Sequence, residues 1–308
     1  MRTSRPFLTD GGLETSLIFH QGQDLPCFAA FPLLETATGR DELRRYFEGY
    51  IDLAARTRRG FVLDTVTWRA NMGWAEVLGR SAGDLRRANH AAVQFARALV
   101  VESGTGAAPI VINGVIGPSG DGYDPGEMLT VDAARTLHAV QVEALAAAGA
   151  DMATAVTMTH AEEAIGIAKA AMAAELPVAI SFTVETDGHL PSGQTLGEAI
   201  AQTDRDTGGG VLYYMINCAH PDHFAHRLGG AASWLARIGG LRTNASRMSH
   251  AELDCAEDLD DGDPAELGRL CADLQRNLPN LRVIGGCCGT DHRHVGCMSD
   301  HLEAHIAA

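Results

Sequence analysis

Short apolar or β-branched runs alternate with longer helical patterns from one end of the chain to the other. Eight runs read as strands: Pro6–Thr9, Phe61–Thr67, Ile110–Val115, Asp151–Val156, Val178–Val184, Val211–Asn217, Trp234–Leu241 and Leu281–Gly285. Between them lie segments with apolar positions at helical spacing, among them Gly83–Glu102, Val131–Ala148, Ala161–Ala174, Leu196–Asp206 and Pro264–Asn277. Thr130 stands where it would cap the second of these. The alanine of Ala133–Ala150 and Ala161–Ala174 suits helices packed closely against a sheet. Strands buried on both faces and separated by helices form a parallel sheet. Eight such units in 308 residues predict an α/β protein, a single (β/α)8 TIM barrel spanning residues 1–308. A doubly wound open sheet is the competing architecture. No Gly-x-Gly-x-x-Gly turn follows the first strand, which removes the usual dinucleotide reading of that alternative. No linker, repeat or low-complexity tract divides the chain, and the acidic stretch Glu252–Asp263 reads as a solvated loop before the last helix–strand unit.

Polar residues gather where the predicted strands end. Asp10-Gly11-Gly12 follows the first strand; Asp64, Thr65 and Thr67 close the second; Asn113–Ser119 (NGVIGPS) follows the third and Glu185 the fifth. Asn217-Cys218 ends the sixth strand, Asn244 follows the seventh, and Gly285–Thr290 (GGCCGT) ends the eighth. A barrel enzyme assembles its active site from these C-terminal strand ends, so the placement itself predicts one.

Charge narrows the range of partners. Lys and Arg number 24 against 39 acidic residues, a formal net charge of −15. Such a balance argues against nucleic-acid or anionic membrane surfaces, which need a basic footprint. The opening segment MRTSRPFLTD has no apolar run of signal-peptide length, and no later stretch approaches 18 uninterrupted apolar residues, so a soluble cytoplasmic protein is expected.

Seven cysteines, an odd number spread over a long chain, do not read as a disulfide framework. Cys27, Cys255, Cys271 and Cys297 have incidental or structural settings. The adjacent pair Cys287-Cys288 is different. On a barrel, strands six and eight are near neighbours, so Cys218 and this pair would converge on one mouth. Three thiolates there form a soft anionic site suited to Zn²⁺, and three protein ligands leave the fourth tetrahedral position open, the catalytic arrangement. Adjacent residues on a regular strand face opposite ways, and the flanking Gly285, Gly286 and Gly289 would relieve this by permitting a sharp turn. A substrate thiol entering the open position loses its proton and becomes a nucleophile at neutral pH. A methyl donor with a good leaving group, a sulfonium or a quaternary ammonium, would then complete the chemistry. A buried cysteine pair or a vicinal redox disulfide, in a non-catalytic metal- or redox-responsive protein, is the competing reading from spacing alone.

The chain resembles the homocysteine S-methyltransferase family, the betaine-, S-methylmethionine- and cobalamin-dependent enzymes that share one zinc barrel. The resemblance is carried by DGGLET at Asp10–Thr15, NGVIGPSGDGY at Asn113–Tyr123, SFTVETDGHLPSGQTLGEAI at Ser181–Ile200, INC at Ile216–Cys218 and IGGCCGT at Ile284–Thr290. It covers essentially the whole chain. It implies a zinc (β/α)8 barrel with Cys218, Cys287 and Cys288 as ligands, and methyl transfer to homocysteine giving methionine. It also implies that Asp10 and the Gly11-Gly12 backbone hold the amino-acid part of the thiol, the carboxylate on glycine N–H groups and the ammonium on Asp10. In one place the sequence departs from the family pattern. Family members acting on homocysteine place a glutamate after the fourth strand, in a pattern like G-A-D-x-x-x-x-E-T, and here Val156 holds that position. Either another carboxylate substitutes, with Glu185 and Asp64 as candidates, or the protein methylates or demethylates a different small thiol.

Thr67, Asn217, Glu185 and Asn244 complete the expected substrate-facing set, Asn217 and Asn244 as donors to a thiolate or a carboxylate. Trp68, Trp74, Phe28, Phe31 and Tyr123 could offer aromatic faces to a cationic donor or simply pack loops onto the barrel. His220, His223 and His226 read as a solvated helix edge, with His220 a candidate support for the neighbouring Cys218. The H-R-H run at His292–His294 reads as the start of the final helix. The implied partners are a small-molecule thiol acceptor and a methyl donor, with no nucleic acid and no membrane. A cobalamin donor would have to come from another protein, and homo-oligomerisation is left open.

Overall fold

The computed structural model describes residues 5–104, 109–230 and 232–306. Eight parallel strands pair in sequence order and close on themselves: β1 (Phe7–Leu8), β2 (Phe61–Asp64), β3 (Ile110–Ile116), β4 (Met152–Met158), β5 (Val178–Phe182), β6 (Tyr214–Asn217), β7 (Ile238–Thr243) and β8 (Val283–Gly286). Closure runs through Phe7↔Val283 and Leu8↔Ile284. Each predicted strand has its counterpart, and the open-sheet alternative is excluded. β7 starts later than its apolar run, because Ser233–Arg237 winds into a 3-10 turn before the strand.

The five predicted helices are present as Ala82–Glu102, Val131–Ala148, Ala161–Ala173, Leu196–Thr207 and Pro264–Gln275. Thr130 caps the second, its side chain accepting the Ala133 N–H. Small residues let the second and third of these helices approach closely: a Cβ added at Gly166 would lie 2.5 Å from the Ala134 Cβ. The H-R-H run opens the final helix, His292–Ile306, as expected. A long helix at Ala37–Thr57 completes the first unit, burying Leu43, Tyr46, Phe47, Tyr50 and Ile51. No helix among the described residues is long and apolar enough to cross a membrane.

The barrel's interior is polar towards the C-terminal strand ends. Thr154 Oγ1 donates to Asn113 Oδ1 (2.9 Å), and Asn113 Nδ2 donates to Asp64 Oδ1 (2.7 Å). β4 carries a register shift between Ala155 and Met158, where Thr157 turns to φ 61°. The bulge withdraws the Thr157 N–H from the strand ladder and gives it to Asn217 Oδ1 at 2.9 Å. Val156 and Thr157 can therefore both face the same cavity.

Candidate active site

β6 ends at Asn217, and Cys218 leaves the extended conformation with φ 58°, an uncommon backbone state for a residue with a side chain. Its N–H still donates to the Arg242 carbonyl (3.0 Å), which fixes the turn. Because of this switch Asn217 and Cys218, neighbours in sequence, both line one cavity. The Cys287-Cys288 turn is built differently. Cys287 N–H donates to the Thr243 carbonyl (2.8 Å), and the Cys287 carbonyl accepts from Thr290 N–H (3.1 Å) and Thr290 Oγ1 (2.7 Å). The predicted glycine effect holds at Gly289, whose φ of 77° suits a residue without a side chain. Gly286 contributes room instead: it lies within β8, and a Cβ there would fall 1.8 Å from Thr290 Oγ1.

Among the described residues, Cys218, Cys287 and Cys288 are the group of candidate ligands gathered closely enough for one ion, with their sulfurs within 4.8 Å of one another. Cys218 Sγ and Cys288 Sγ stand 3.4 Å apart. A tetrahedral zinc with Zn–S bonds of about 2.3 Å sets its sulfurs about 3.8 Å apart, so this donor set fits the ion in both chemistry and spacing. Without a cation the three cannot all be thiolates. Cys287 is held well below the usual thiol range by hydrogen bonds from Cys218 and Cys288, with Arg242 acting in the same direction. Cys218 is pushed well up, first by its hydrogen bonds to Cys287 and Cys288 and then by burial. All seven cysteines are free thiols.

Tyr123 faces this cluster, its hydroxyl 3.0 Å from Cys218 Sγ and 3.6 Å from Cys288 Sγ. Its ring stacks on His250 with centroids 3.9 Å apart. The His250 imidazole links Glu185 Oε1 (Nδ1, 3.0 Å) to the Cys218 carbonyl (Nε2, 2.8 Å). Glu185, expected to touch substrate, thus lies behind the cluster and supports it through His250. It is not among the residues lining the cavity.

Arg242 dominates the cavity floor. Its guanidinium bonds to one oxygen of Asp64 and one of Asp10, and its Nε donates to the Gly286 carbonyl at 3.1 Å. Tyr46 Oη donates to the second Asp10 oxygen (3.1 Å). Burial pushes Asp10 up to about 7, against the opposing pull of Arg242, with Asp64 adding repulsion. Glu14, also on the wall, is likewise raised by burial to about 7.

The cavity, about 430 Å³, is lined by Asp10, Gly11, Gly12, Val156, Asn217, Arg242 and the three cysteines, among others. The Gly12 N–H, expected to bind a carboxylate, is already given to the Thr290 carbonyl (3.0 Å). Thr67 faces away: its hydroxyl donates to the Val115 carbonyl (2.7 Å), and Thr65 lines the cavity in its place. The Asn217 oxygen accepts from Thr157 N–H and Ser181 Oγ, while its amide nitrogen donates to Thr157 Oγ1 and lies 4.0 Å from Cys287 Sγ. Asn244 is buried outside the lining, its side-chain oxygen without a hydrogen-bond partner and its N–H given to the Ala219 carbonyl.

Among the aromatic residues, Trp68, Phe28 and Tyr123 reach the cavity. Phe31 is buried in a cluster with Ala29, Ala70, Ala75 and Leu85. Arg69 sits over both Trp68 and Trp74, 3.8 and 3.7 Å from their centroids, and Trp74 Nε1 donates to the Pro118 carbonyl. His220 and His223 are buried instead of lying on a solvated edge: His220 caps a short helix by accepting the Asp222 N–H on Nδ1, His223 bonds the Arg247 carbonyl, and neither is in the candidate ligand group found among the described residues. The acidic stretch does more than meet solvent. Leu253, Asp254, Ala256, Asp258, Leu259 and Asp260 cover the cavity, with Asp254 and Asp258 exposed at its mouth.

Known proteins give this geometry a context. The backbone is similar to crystal structures of the homocysteine methyltransferase MmuM from Escherichia coli. The oxidised form is 21% identical, with a TM-score of 0.75, covering 96% of this chain and 95% of that one. The metallated form is 20% identical, with a TM-score of 0.71, covering 98% of this chain and 97% of that one. The family model described as homocysteine S-methyltransferase matches residues 7–302, nearly the whole chain, and the chain belongs to that family.

Proposed function

We propose that the protein is a zinc-dependent S-methyltransferase that moves a methyl group from a sulfonium or quaternary ammonium donor to a small thiol. The observation that carries the reading is the convergence of Cys218, Cys287 and Cys288 on one point of a cavity whose mouth is acidic and aromatic. Zinc held by these cysteines would supply the Lewis acidity that lets a substrate thiol give up its proton at neutral pH.

The remaining work falls to side chains of the barrel. Asn217 and Tyr123 border the sulfur cluster and fix the direction from which an acceptor sulfur can enter. During transfer a sulfur lone pair forms the new S–CH3 bond, and the pair of the breaking C–S or C–N bond goes to the leaving heteroatom. The donor's positive charge disappears in this step. A site that gathers the cationic donor and releases the neutral product needs negative charge and π-faces near the reacting carbon. Glu14, Asp121, Asp254 and Asp258 supply the charge; Phe19 and Phe28, 40% and 44% exposed, join Trp68 and Tyr123 in supplying the faces. The segment Leu253–Asp260 limits access of bulk water. Free thiols at the centre suit a reducing, cytoplasmic setting.

The test is metal analysis paired with transfer assays using trimethylglycine and a methylsulfonium amino acid as donors. About one zinc per chain is expected, with transfer lost on chelation and restored by zinc. Full transfer by protein stripped of metal would end the reading.

A further inference from the structure

We infer that the acceptor is a small thiol carrying no ammonium group, with Arg242 occupying within the cavity the place that a substrate cation would otherwise take. The inference rests on the methyltransferase reading above and concerns which thiol that site admits.

The acceptors at the floor are already engaged by the protein's own donors. Arg242 reaches inward from β7 next to the sulfur cluster, its Nε bonded to the carbonyl of Gly286, the residue before Cys287. One oxygen of Asp10 and one of Asp64 are bound by its two terminal nitrogens. The second Asp10 oxygen accepts from Tyr46 (3.1 Å), and the second Asp64 oxygen accepts from Asn113 (2.7 Å). All four carboxylate oxygens thus have a donor from within the protein, and Asp10 and Asp64 are 2% and 6% exposed. An ammonium arriving here would have to share oxygens that each already hold a donor, with a fixed guanidinium beside it. Beside the floor, Val156 is apolar, and the Asn217 oxygen already accepts from Thr157 N–H and Ser181 Oγ. A buried ammonium is tolerated only where it is paired.

Glu14 is the other half-buried acid near the cluster, and its position fits a different partner. It lies within electrostatic reach of Asp10, Cys287 and Arg242 and also of Arg69, so its charge is already answered by two guanidinium groups. Arg69 in turn sits over Trp68 on the cavity wall, among the aromatic faces that a cationic donor would use. A thiol with an apolar or carboxylate tail meets Val115, Val156 and the guanidinium edge of Arg242 and brings no second cation to the floor.

The experiment uses the full chain with cobalt(II) in place of zinc, because thiolate-to-cobalt absorption reports a fourth sulfur independently of methyl transfer. Three thiols are titrated: L-homocysteine; 4-mercaptobutanoate, its analogue without the amino group; and 3-mercaptopropylamine, which keeps the amino group and lacks the carboxylate. The expected order is 4-mercaptobutanoate at least about tenfold tighter than homocysteine, with 3-mercaptopropylamine weakest, and the same order in kcat/KM. Val156→Glu should narrow or reverse the gap, and Val156→Gln should not. Homocysteine binding as tightly as 4-mercaptobutanoate, or tighter, in the wild-type protein would overturn the inference whatever the variants do. A cobalt protein with no thiolate absorption before any thiol is added would instead overturn the metal reading, and the inference with it. Glu14→Gln should leave the gap between 4-mercaptobutanoate and homocysteine as it is; a wider gap in this variant would make Glu14 a partner of the substrate ammonium and count against the inference.

Discussion

Two sets of polar atoms face the same cavity and are treated in opposite ways. On the floor, the carboxylate oxygens of Asp10 and Asp64 each receive a hydrogen bond from Arg242, Tyr46 or Asn113. On the wall between β6 and β8, the sulfurs of Cys218, Cys287 and Cys288 have only weak contacts, with one another, the Tyr123 hydroxyl and the Asn217 amide. Burial alone does not account for the contrast, since Cys218 is as buried as Asp10. The difference is in who supplies the partner. A buried polar group provided with its own counter-group is part of the framework, whereas a gathered set of strong donors left without one is a place for a ligand. By this criterion the sulfur wall binds and the carboxylate floor supports, although the floor holds the greater number of charges.

The contrast breaks most completely if one sulfur is removed. Cys287→Ala leaves two ligands where three are needed, and zinc affinity should fall by more than about a hundredfold, beyond what loss of an outer contact causes. Competition with a chromophoric chelator measures it, and an affinity within tenfold of the wild type would remove Cys287 from the ligand set. Next in size is Arg242→Leu, which leaves two carboxylates facing each other without their cation. Breaking a buried ion pair from one side costs about 3–5 kcal/mol, so urea unfolding of this variant should show a loss of that order. A loss below about 1 kcal/mol would mean that Arg242 is not the keystone of the floor.

The two walls were unequally legible in the sequence for the same physical reason. Strands of a parallel barrel are continuous apolar runs, and so all eight were readable from local pattern. The sulfur wall was readable too, because Cys287, Cys288 and Gly289 are adjacent and Asn217-Cys218 stands at a strand end. Arg242 is not legible in the sequence: the apolar run of its strand ends at Leu241, and its burial depends on partners next to β1 and in β2 that meet it only when the barrel closes. Tyr46 was missed with its helix, since the charges of Arg40–Arg45 obscure the apolar positions of Ala37–Thr57. The sequence places Glu185 at a strand end beside the site but does not show what it touches. Its neighbour there is His250, brought over by a segment whose path no periodicity encodes.

The floor can be sharpened by pH. Asp10 holds its proton more tightly in the folded protein, near 7, than its ordinary value of 3.8. The folded state therefore carries the extra proton between those values. The associated stability is complete below about pH 4 and is lost as pH rises through 7. From pH 5 to pH 7 the metal-free protein should lose about 2 kcal/mol from this group, and Glu14, raised from 4.5 to about 7, acts in the same direction. Urea unfolding at the two pH values measures the slope, and Asp10→Asn should flatten it. A protein that grows more stable across this interval would contradict the buried, proton-holding floor.

The smallest effect probes the sulfur wall. The Tyr123 hydroxyl contacts two sulfurs of the cluster, and its donation to a thiolate would favour the charged form that a metal needs. Tyr123→Phe deletes that oxygen while keeping the ring that stacks on His250, so the surrounding fold has no reason to move. Metal affinity should fall by about tenfold, the lower end of what outer contacts contribute to a metal site. Stability in the metal-free state should change little, because the hydroxyl's partners there are other thiols. The two readouts together separate a contact that tunes the metal from one that holds the fold. Equal losses in the metal-free and metal-bound states would place Tyr123 with the floor, as structure, and would erase the line drawn between the two walls.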